Sequence, residues 1–353
     1  MTTEGPFVSE LKRMGTITVT TFEFGRRGHG DNSDLSRMFG LLWDLSSFVG
    51  LLIRYKPDVV QLNSAYFKPA LLRDPAYVAI SKIFRTHLLI KYHGSDAHLL
   101  HARRLPWRLL GQFCVSRAAG IAVLSSEEKR NFALAGFPAG RIWQVKNVVN
   151  CSRFGGVGQR QREPNQLLVI SRFIPPKGLV ESIEAMPLIL SKVPSVTLTC
   201  VGDGPDRERA ERRVLELDLR QSVHFTGRIP EEETIKFYLA ASILVFPTYF
   251  DEGFPMTLFQ ALAAGLPVVT TRIRAAADYL QEPANCVWVV PRSPTDLAEK
   301  ILYLLQRPHL MQTMSSNNRR LAQRFIPKHV VPEYLRIYEV ILGKGQQSVG
   351  NIQ

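Results

Sequence analysis

Several classes of protein are excluded by what this chain of 353 residues has little of. Its four cysteines (Cys114, Cys151, Cys200 and Cys286) are widely separated and form no Cys-x-x-Cys pair, which predicts reduced thiols without a disulfide framework. The start, MTTEGPFVSE, has neither the basic nor the apolar region of a signal peptide. The most apolar long run, residues 39–53, is interrupted by Asp44 and is too short to span a bilayer. A soluble, cytoplasmic protein is expected.

Sequence motifs for three kinds of chemistry are also missing. The chain contains no HExxH, no GxSxG, no phosphate-binding P-loop and no DxD pair. Metal-dependent hydrolysis, acyl transfer and ATP chemistry therefore have no support. We expect neither a metal ion nor a resident cofactor.

The net charge of +13 is unevenly placed and lies mostly in residues 1–163. An excess of positive charge attracts nucleic acids or anionic membranes. The basic residues are dispersed and match no nucleic-acid-binding motif, so no nucleic-acid partner is expected. Residues 101–117, HARRLPWRLLGQFCVSR, combine arginines with Leu, Trp and Phe, which suits peripheral contact with an anionic leaflet. The alternative is a packing helix whose arginines face solvent.

Strands and helices alternate along the second half of the chain. Apolar, β-branched runs predict the strands QLLVISRF (166–173), SVTLTCVG (195–202), VHFTGRI (223–229), ILVFP (243–247), PVVTT (267–271) and NCVWVVP (285–291). Helical patterns lie between them at 178–193, 207–217, 231–242, 255–265 and 293–306, and three more helical stretches close the chain. Such βαβ units predict a doubly wound parallel sheet.

The first half repeats this alternation less completely. Its predicted elements are the strand TITVTTFEF (16–24), a helix from Asp34 to Tyr55, the strand DVVQLN (58–63), a helix up to Arg85, and the strands HLLIKYHG (87–94), AGIAVLSS (119–126) and IWQVKNVV (142–149). The polar stretch 158–166 suits a linker, which predicts domains at 1–160 and 161–330 followed by a helix and tail at 331–353. Because ligands bind beyond the carboxyl ends of such strands, two facing sheets would enclose a cleft.

The stretch DEGFPMTLFQ (251–260) joins an acidic turn to the start of a helix. Pro255 suits a first helical position, and the free N–H groups that follow predict an anion site. These groups belong to Met256, Thr257 and Leu258. Glu252 and Gly253 lie at the mouth of this anion site, where a carboxylate would accept hydrogen bonds from sugar hydroxyls. Gln260, further along the helix, would reach a second polyol such as a ribose. The alternative is an acidic residue favoured by the helix dipole and an exposed glutamine.

Cations, glycines and a histidine follow other predicted strands. Arg172 and Lys177, in SRFIPPKG, would clamp a diphosphate leaving group, or are surface cations beside a proline-stiffened turn. Gly202, in VGDGP, permits close approach of the backbone to a ligand, or makes a tight turn. His93, in KYHGSD (91–96), would bond a substrate hydroxyl, although a lone histidine at a strand end is more often structural.

The motifs taken together resemble one family. In order along the chain, YHGSD, KNVVN, SRF…PKG, VGDGP, FTGRIP, FPTYFDEGFPMTLFQALAAGLPVVTT and NCVWVVP resemble the retaining glycosyltransferases of family 4, which have the GT-B fold. The resemblance implies an α/β protein of two facing Rossmann-like, doubly wound domains, with a nucleotide-sugar bound mainly by the second. It also implies metal-independent transfer, with retention at the anomeric carbon, to a polysaccharide or glycolipid acceptor.

The resemblance implies a role for each matching residue. Arg172 and Lys177 match the pair that neutralises the donor diphosphate, Glu252 matches the residue that contacts the donor sugar, and His93 matches a first-domain histidine near that sugar. The implied donor-binding residues are Gly202, Gly227, Gly253, Phe254, Pro255, Met256, Thr257, Leu258 and Gln260.

Three departures from the family pattern stand out. Gln260 replaces the glutamate that binds the ribose, so we expect weaker donor binding with chemistry intact, and tighter binding on Gln260→Glu. The turn NVVN (147–150) lacks the glycine of NGVD. Residues 5–24 match the family's third strand and the helix before it, so the first two strands and their Gly-rich loop have no counterpart. A truncation or a misplaced start codon would explain this.

Two alternative functions are consistent with these departures. A non-catalytic scaffold, which binds a nucleotide weakly or pairs with an active relative, accounts for the missing Gly-rich loop and the Gln260 change. A sugar-nucleotide epimerase of related architecture is the second alternative.

Overall fold

The computed structural model describes residues 4–24, 34–100, 105–155 and 162–344, which form two compact units. The C-terminal unit holds Asn147–Val330 and the start of the chain up to Pro6. The N-terminal unit holds Phe7–Lys146 and the residues after Val330. The chain thus changes unit before the polar stretch 158–166, of which residues 158–161 lie outside the described ranges. Residues 147–149 join the C-terminal unit, where the Val149 N–H donates to the Phe325 carbonyl at 2.8 Å.

Within the described residues, the N-terminal unit contains a parallel sheet of four strands in the order β1-β2-β3-β4. The strands are β1 (Val59–Tyr66), β2 (His87–Ser95), β3 (Gly120–Val123) and β4 (Ile142–Gln144). The helices along this part of the chain are α1 (Glu4–Met14), α2 (Asp34–Tyr55), α3 (Lys68–Ile83), α4 (Ala97–Leu100), α5 (Leu105–Arg117) and α6 (Ser126–Leu134). The predicted helix from Asp34 to Tyr55 is confirmed.

Residues 16–24 do not form the predicted strand. Strand propensity is realised where a neighbouring strand completes the backbone hydrogen bonds, and this segment is held by aromatic side chains instead. The Phe22 ring lies 6.2 Å from the Phe48 ring, and the Phe24 ring lies 4.9 Å from the Tyr77 ring. The prediction was wrong because ring packing outweighs the local β propensity of TITVTT.

The C-terminal unit contains a parallel sheet of six strands in the order β10-β9-β8-β5-β6-β7. The strands are β5 (Gln166–Ile170), β6 (Thr197–Val201), β7 (Val223–Gly227), β8 (Ile243–Phe246), β9 (Val268–Thr271) and β10 (Val287–Val289). The helices that follow along the chain are α7 (Leu179–Leu190), α8 (Arg207–Glu216), α9 (Glu231–Ala240), α10 (Met256–Ala263), α11 (Arg274–Tyr279), α12 (Pro294–Leu305), α13 (Pro308–Ala322) and α14 (Pro327–Ile341). The six strands predicted for this half and the α/β class are confirmed.

Burial explains why these strands are continuously apolar. Every residue of β8 and β9 is buried, as expected for a parallel sheet covered on both faces. Helix α7 supplies one cover through Leu179, Ile183 and Met186, which recur at helical spacing and are fully buried. Burial of each such side chain contributes about 1.5–3 kcal/mol. This packing makes the C-terminal unit a rigid base for the loops at the strand ends.

The order of the strands shows where a ligand would bind. Strand β5 pairs with β6 on one side and with β8 on the other, so the chain leaves β5 in one direction and later returns to its opposite side. Such a reversal opens a crevice beyond the carboxyl ends of the two strands. The loops after β5 and β8 are therefore the first candidates for a site.

The last helix belongs partly to the N-terminal unit. From Val331 onward α14 is part of that unit, where the Tyr334 hydroxyl donates to the Lys146 carbonyl at 3.0 Å. The Tyr338 hydroxyl donates to Gln61 Oε1 at 2.7 Å. Helix α14 therefore contributes to the packing around β1 and β4.

Candidate active site

The loop after β5 is shaped by a glycine. Residues Pro175–Lys177 form one 3₁₀ turn, and Gly178 then takes a left-handed conformation with φ of 77° before α7 begins. A Cβ atom on Gly178 would lie 2.7 Å from Pro247 Cγ and 2.8 Å from the Pro247 carbonyl oxygen. Glycine is thus needed here both for its backbone angles and for its close contact with the end of β8.

Hydrogen bonds join the loops that follow β5 and β8 to each other and to the end of β9. The Tyr249 N–H and the Thr248 hydroxyl donate to the Pro176 carbonyl at 2.9 and 3.1 Å. The Thr248 carbonyl in turn accepts a hydrogen bond from the Thr271 hydroxyl. These hydrogen bonds therefore fix the backbone of the loops at the switch point between β5 and β8.

Lys177 and Glu252 form an ion pair across this switch point. The Lys177 side chain is only 4% exposed, whereas that of Glu252 is 28% exposed. Lys177 Nζ lies 5.7 Å from the centre of the Phe246 ring and 4.9 Å from that of Phe250. Burial lowers the pKa of Lys177, the Glu252 carboxylate opposes this shift, and the Arg172 charge adds to it. A cation this deeply buried needs the partner carboxylate.

Arg172 adds a second cation to the same place. Its guanidinium carbon lies 5.9 Å from the centre of the Phe250 ring, so Arg172 and Lys177 contact one aromatic side chain. Arg172 is exposed. A planar fork of donors beside a buried point charge suits an anion with several oxygens, such as a diphosphate. The structure thus brings together Arg172, Lys177 and Glu252.

The start of α10 offers an anion fewer free N–H groups than the sequence predicts. The Leu258 N–H donates to the Pro255 carbonyl at 3.0 Å. The first-turn N–H groups left for an anion are therefore those of Met256 and Thr257. The Phe254 ring stacks on Phe259 with their centres 3.6 Å apart, so this side chain lies in the core. Phe254 can offer a ligand its backbone but not its ring, and Gly253 beside it is buried.

The glycines after β6 and β7 bring loops of the protein close together. A Cβ atom on Gly202 would lie 1.9 Å from the Ser171 carbonyl oxygen, and one on Gly204 would lie 2.4 Å from the Phe173 carbonyl oxygen. The Gly202 N–H donates to the Gly227 carbonyl at 3.1 Å. These glycines therefore allow the ends of β5, β6 and β7 to pack against each other, beside the loop that carries Arg172.

Gln260 is not the exposed glutamine that the alternative interpretation of residues 251–260 predicted. Its amide nitrogen donates to Glu231 Oε1 at 3.1 Å, and its amide oxygen accepts from the Tyr238 hydroxyl at 3.2 Å. The same Glu231 oxygen accepts from an Arg153 guanidinium nitrogen at 3.0 Å. The sequence analysis missed Glu231 and Arg153. The run Glu231–Glu233 predicts a helix start, but nothing local shows which of its residues faces Gln260.

Arg274 is a second residue that the sequence analysis missed. It is 2% exposed and has a positive φ of 43°, which is unusual for any residue other than glycine. One guanidinium nitrogen donates to the Asp251 carbonyl at 3.0 Å, and another lies 3.5 Å from the Asp251 carboxylate. Arg274 thus anchors the loop that carries Glu252. Its only sequence signal is an arginine placed soon after a buried strand.

His93 lies near the end of β2 in the N-terminal unit and is half-buried. Burial, together with the smaller effect of the positive charge of Lys91, lowers its pKa to about 3. His93 is therefore neutral at physiological pH. Asp96, from the same motif, directly precedes the short helix α4 and accepts a hydrogen bond from the His98 N–H at 2.9 Å.

Two further observations concern groups that the sequence analysis considered. Across residues 4–24, 34–100, 105–155 and 162–344, no three His, Cys, Asp or Glu side chains are grouped so that they could hold a metal ion. In the same part of the chain, no helix is both long and apolar enough to cross a membrane.

The sequence of the C-terminal unit matches a known family. Residues 156–321 match the family described as "Glycosyl transferases group 1". The matched residues include Arg172, Lys177 and Glu252, and also the cluster formed by Glu231 and Gln260.

The named relatives that this chain matches are distant. An uncharacterized glycosyltransferase of Methanocaldococcus jannaschii is 25% identical over 201 residues, which are 57% of this chain and 50% of that protein. A glycogen synthase of Mycobacterium tuberculosis is 25% identical over 296 residues, which cover 80% of this chain and 69% of that protein. The chain thus spans half the length of the first relative.

A solved structure shows the fold. The crystal structure of Anabaena HepE in complex with UDP-glucose has a TM-score of 0.70 and 20% sequence identity, and covers 88% of this chain and 84% of that chain. At this identity the likeness concerns the fold alone, which is the GT-B fold.

Proposed function

We propose that this chain is a retaining, metal-independent glycosyltransferase. It moves a hexosyl group from a nucleotide-sugar to a hydroxyl of a saccharide or lipid-linked acceptor. The observation that carries the proposal is the ion pair of Lys177 and Glu252 at the switch point of the six-stranded sheet. A cation suited to a diphosphate and a carboxylate suited to sugar hydroxyls lie side by side there. Support also comes from HepE, which was crystallised with UDP-glucose, and from the glycogen synthase relative.

The donor diphosphate takes the place of Glu252 as the partner of Lys177. Arg172 adds a fork of donors, and the N–H groups of Met256 and Thr257 add the positive end of α10. The Glu252 carboxylate, released from Lys177, accepts hydrogen bonds from the hydroxyls of the donor sugar. Until the donor arrives, the Glu252 carboxylate opposes the lowering of the Lys177 pKa by burial.

The reaction breaks the bond between the anomeric carbon and the diphosphate oxygen. The bonding electron pair leaves with the diphosphate, whose growing charge is stabilised by Arg172, Lys177 and the start of α10. The acceptor oxygen attacks the anomeric carbon from the same face, and its proton passes to the departing phosphate oxygen. This sequence of events requires no side-chain nucleophile, in agreement with a site made of cations and one paired carboxylate.

Time-resolved mass spectrometry tests the proposal. The protein is incubated with UDP-, GDP-, ADP- and dTDP-hexoses, with and without lipid-linked saccharide acceptors, in the presence and absence of EDTA. We expect a glycosylated acceptor and free nucleoside diphosphate both with and without EDTA. NMR of the product is expected to show the same anomeric configuration as in the donor. An epimerised donor without transfer supports the epimerase alternative, and binding without turnover supports the scaffold.

A further inference from the structure

Glu231 is held in place by several hydrogen bonds. It is the first residue of α9, and its carboxylate oxygen Oε1 accepts from Arg153 at 3.0 Å and from Gln260 at 3.1 Å. A second guanidinium nitrogen of Arg153 donates to the Glu231 backbone carbonyl at 3.2 Å, and the Thr234 hydroxyl donates to the same carbonyl at 2.6 Å. Both the side chain and the backbone of Glu231 are therefore fixed before any ligand binds.

The neighbours of Gln260 explain why an amide stands at this position. Tyr238, which is buried, donates its hydroxyl proton to the Gln260 amide oxygen. On the other side the Glu231 carboxylate can only accept, so it requires the donor nitrogen of the amide. A glutamate at position 260 would place two carboxylates beside each other, and their negative charges would repel. Glutamine therefore leaves this cluster with a single negative charge, and that charge belongs to Glu231.

Glu231 is also partly exposed, and its partner Gln260 lies one helical turn after the anion site. Its side chain is 31% exposed, and the two bonds described above involve only one carboxylate oxygen. Helix α10 carries both the N–H groups of Met256 and Thr257 and, one turn later, Gln260. Four residues of helix advance by about 6 Å, which is the scale of the step from a diphosphate to its own ribose.

We propose that Glu231 supplies the carboxylate that binds the ribose hydroxyls of the donor, while Gln260 is a positioning residue that holds it. This inference rests on the function proposed above, which requires a nucleoside diphosphate at the start of α10. It reverses the expectation drawn from the sequence for Gln260→Glu. That substitution weakens donor binding, because the new carboxylate repels Glu231.

Calorimetric titration of five full-length proteins tests the inference: the wild type, Glu231→Gln, Gln260→Glu, the exchange Glu231→Gln/Gln260→Glu, and the control Glu232→Gln. Glu232 lies in the same helical turn as Glu231 and is exposed. The ligands are UDP, GDP and ADP, each beside its 2′,3′-dideoxy form. Thermal unfolding of each protein shows whether a variant is folded.

The wild type is expected to bind at least one ribonucleotide more tightly than its 2′,3′-dideoxy form. Glu231→Gln and Gln260→Glu each lower affinity for the ribonucleotide by about five- to thirtyfold. Both have little effect on the 2′,3′-dideoxy form, which lacks both hydroxyls. The exchange variant recovers part of the loss because it restores one charge to the cluster, and Glu232→Gln binds like the wild type.

Other results overturn the inference. If Glu231→Gln weakens both forms of the nucleotide equally, or weakens neither, Glu231 does not contact the ribose, although the proposed function stands. Tighter binding by Gln260→Glu restores the role that the sequence suggested for position 260. If the wild type binds none of the nucleotides, both this inference and the proposed function fail.

Discussion

Lys177 and Glu252 come from two different strand ends and meet as an ion pair in which the cation is buried and the carboxylate is partly exposed. The pairing is unequal, since Lys177 depends on Glu252 for compensation of its charge, whereas Glu252 can still be hydrated without Lys177. Because of this inequality, removal of Lys177 and removal of Glu252 are expected to change the free energy of unfolding by different amounts.

We expect Glu252→Gln to destabilise the protein more than Lys177→Met. The first change leaves a buried cation without its carboxylate and costs about 1–3 kcal/mol of unfolding free energy. The second places an apolar side chain between Phe246 and Phe250 and costs under about 1.5 kcal/mol. Urea unfolding measures both values, with Lys192→Met, at an exposed position, as the control. A loss for Lys177→Met as large as that for Glu252→Gln, or larger, would contradict the dependence of Lys177 on Glu252.

Arg172→Ala is expected to slow sugar transfer without unfolding the protein. The lost charge-assisted hydrogen bond is worth about 1.5–3 kcal/mol in the transition state, or about a ten- to 150-fold loss in kcat/KM. Arg220→Ala removes another exposed arginine, in the loop before β7, and should keep full activity. Equal rates for Arg172→Ala and the wild type would place the diphosphate elsewhere.

Gly178→Ala is expected to lower both stability and activity. The new methyl group must move the backbone at Pro247, and the left-handed backbone angle adds strain, so we expect a loss of about 1–3 kcal/mol. Activity falls because Lys177 precedes this residue. Gly343→Ala tests the angle alone, since Gly343 has a φ of 71° with open space around it. Equal losses in thermal unfolding for both variants would show that the Pro247 contact has no effect.

The His93→Gln variant is expected to be less sensitive to acid than the wild type. The folded protein holds the pKa of His93 at about 3, mainly through burial, while the unfolded chain has the ordinary value near 6.5. The unfolded state therefore binds the proton first, so stability is full above about pH 6.5 and falls as the pH drops toward 3. Between pH 6.5 and 5 the loss amounts to about 2 kcal/mol. Thermal unfolding of both proteins at these two pH values measures the difference. Parallel curves would mean that His93 titrates normally.

Helix α5 is expected to support binding to anionic vesicles. It buries Gly111, Cys114 and Val115, while Leu105 and Leu109 are 64% and 53% exposed and Arg108 is also exposed. Residues 101–104 of the stretch that suggested membrane contact lie outside the described ranges. Arg108→Glu should reduce co-sedimentation with vesicles that contain phosphatidylglycerol, and Arg130→Glu, an exposed position on α6, serves as the control. Binding that does not depend on salt, on anionic lipid or on Arg108 would contradict the membrane interpretation.

Local patterns in the sequence were enough to predict much of the C-terminal unit. Apolar runs of strand length, separated by helical patterns, predict its six strands because a parallel sheet buried on both faces needs such runs. The positions of Arg172 and Lys177 after one strand, and of Glu252 after another, follow from the same patterns. A resemblance carried by these motifs also led to the GT-B fold.

The tertiary structure decided which of these residues meet. Only the placement of β8 beside β5 brings Glu252 to Lys177, because strand order depends on packing across the whole sheet. The same holds for Gln260, whose partner Glu231 starts a different helix, and for residues 16–24, where ring contacts prevailed over strand propensity. Sequence patterns specify the face and the ends of each element, since these depend on neighbours in the chain. Contacts between elements depend on the balance of all packing interactions, and no local pattern contains that information.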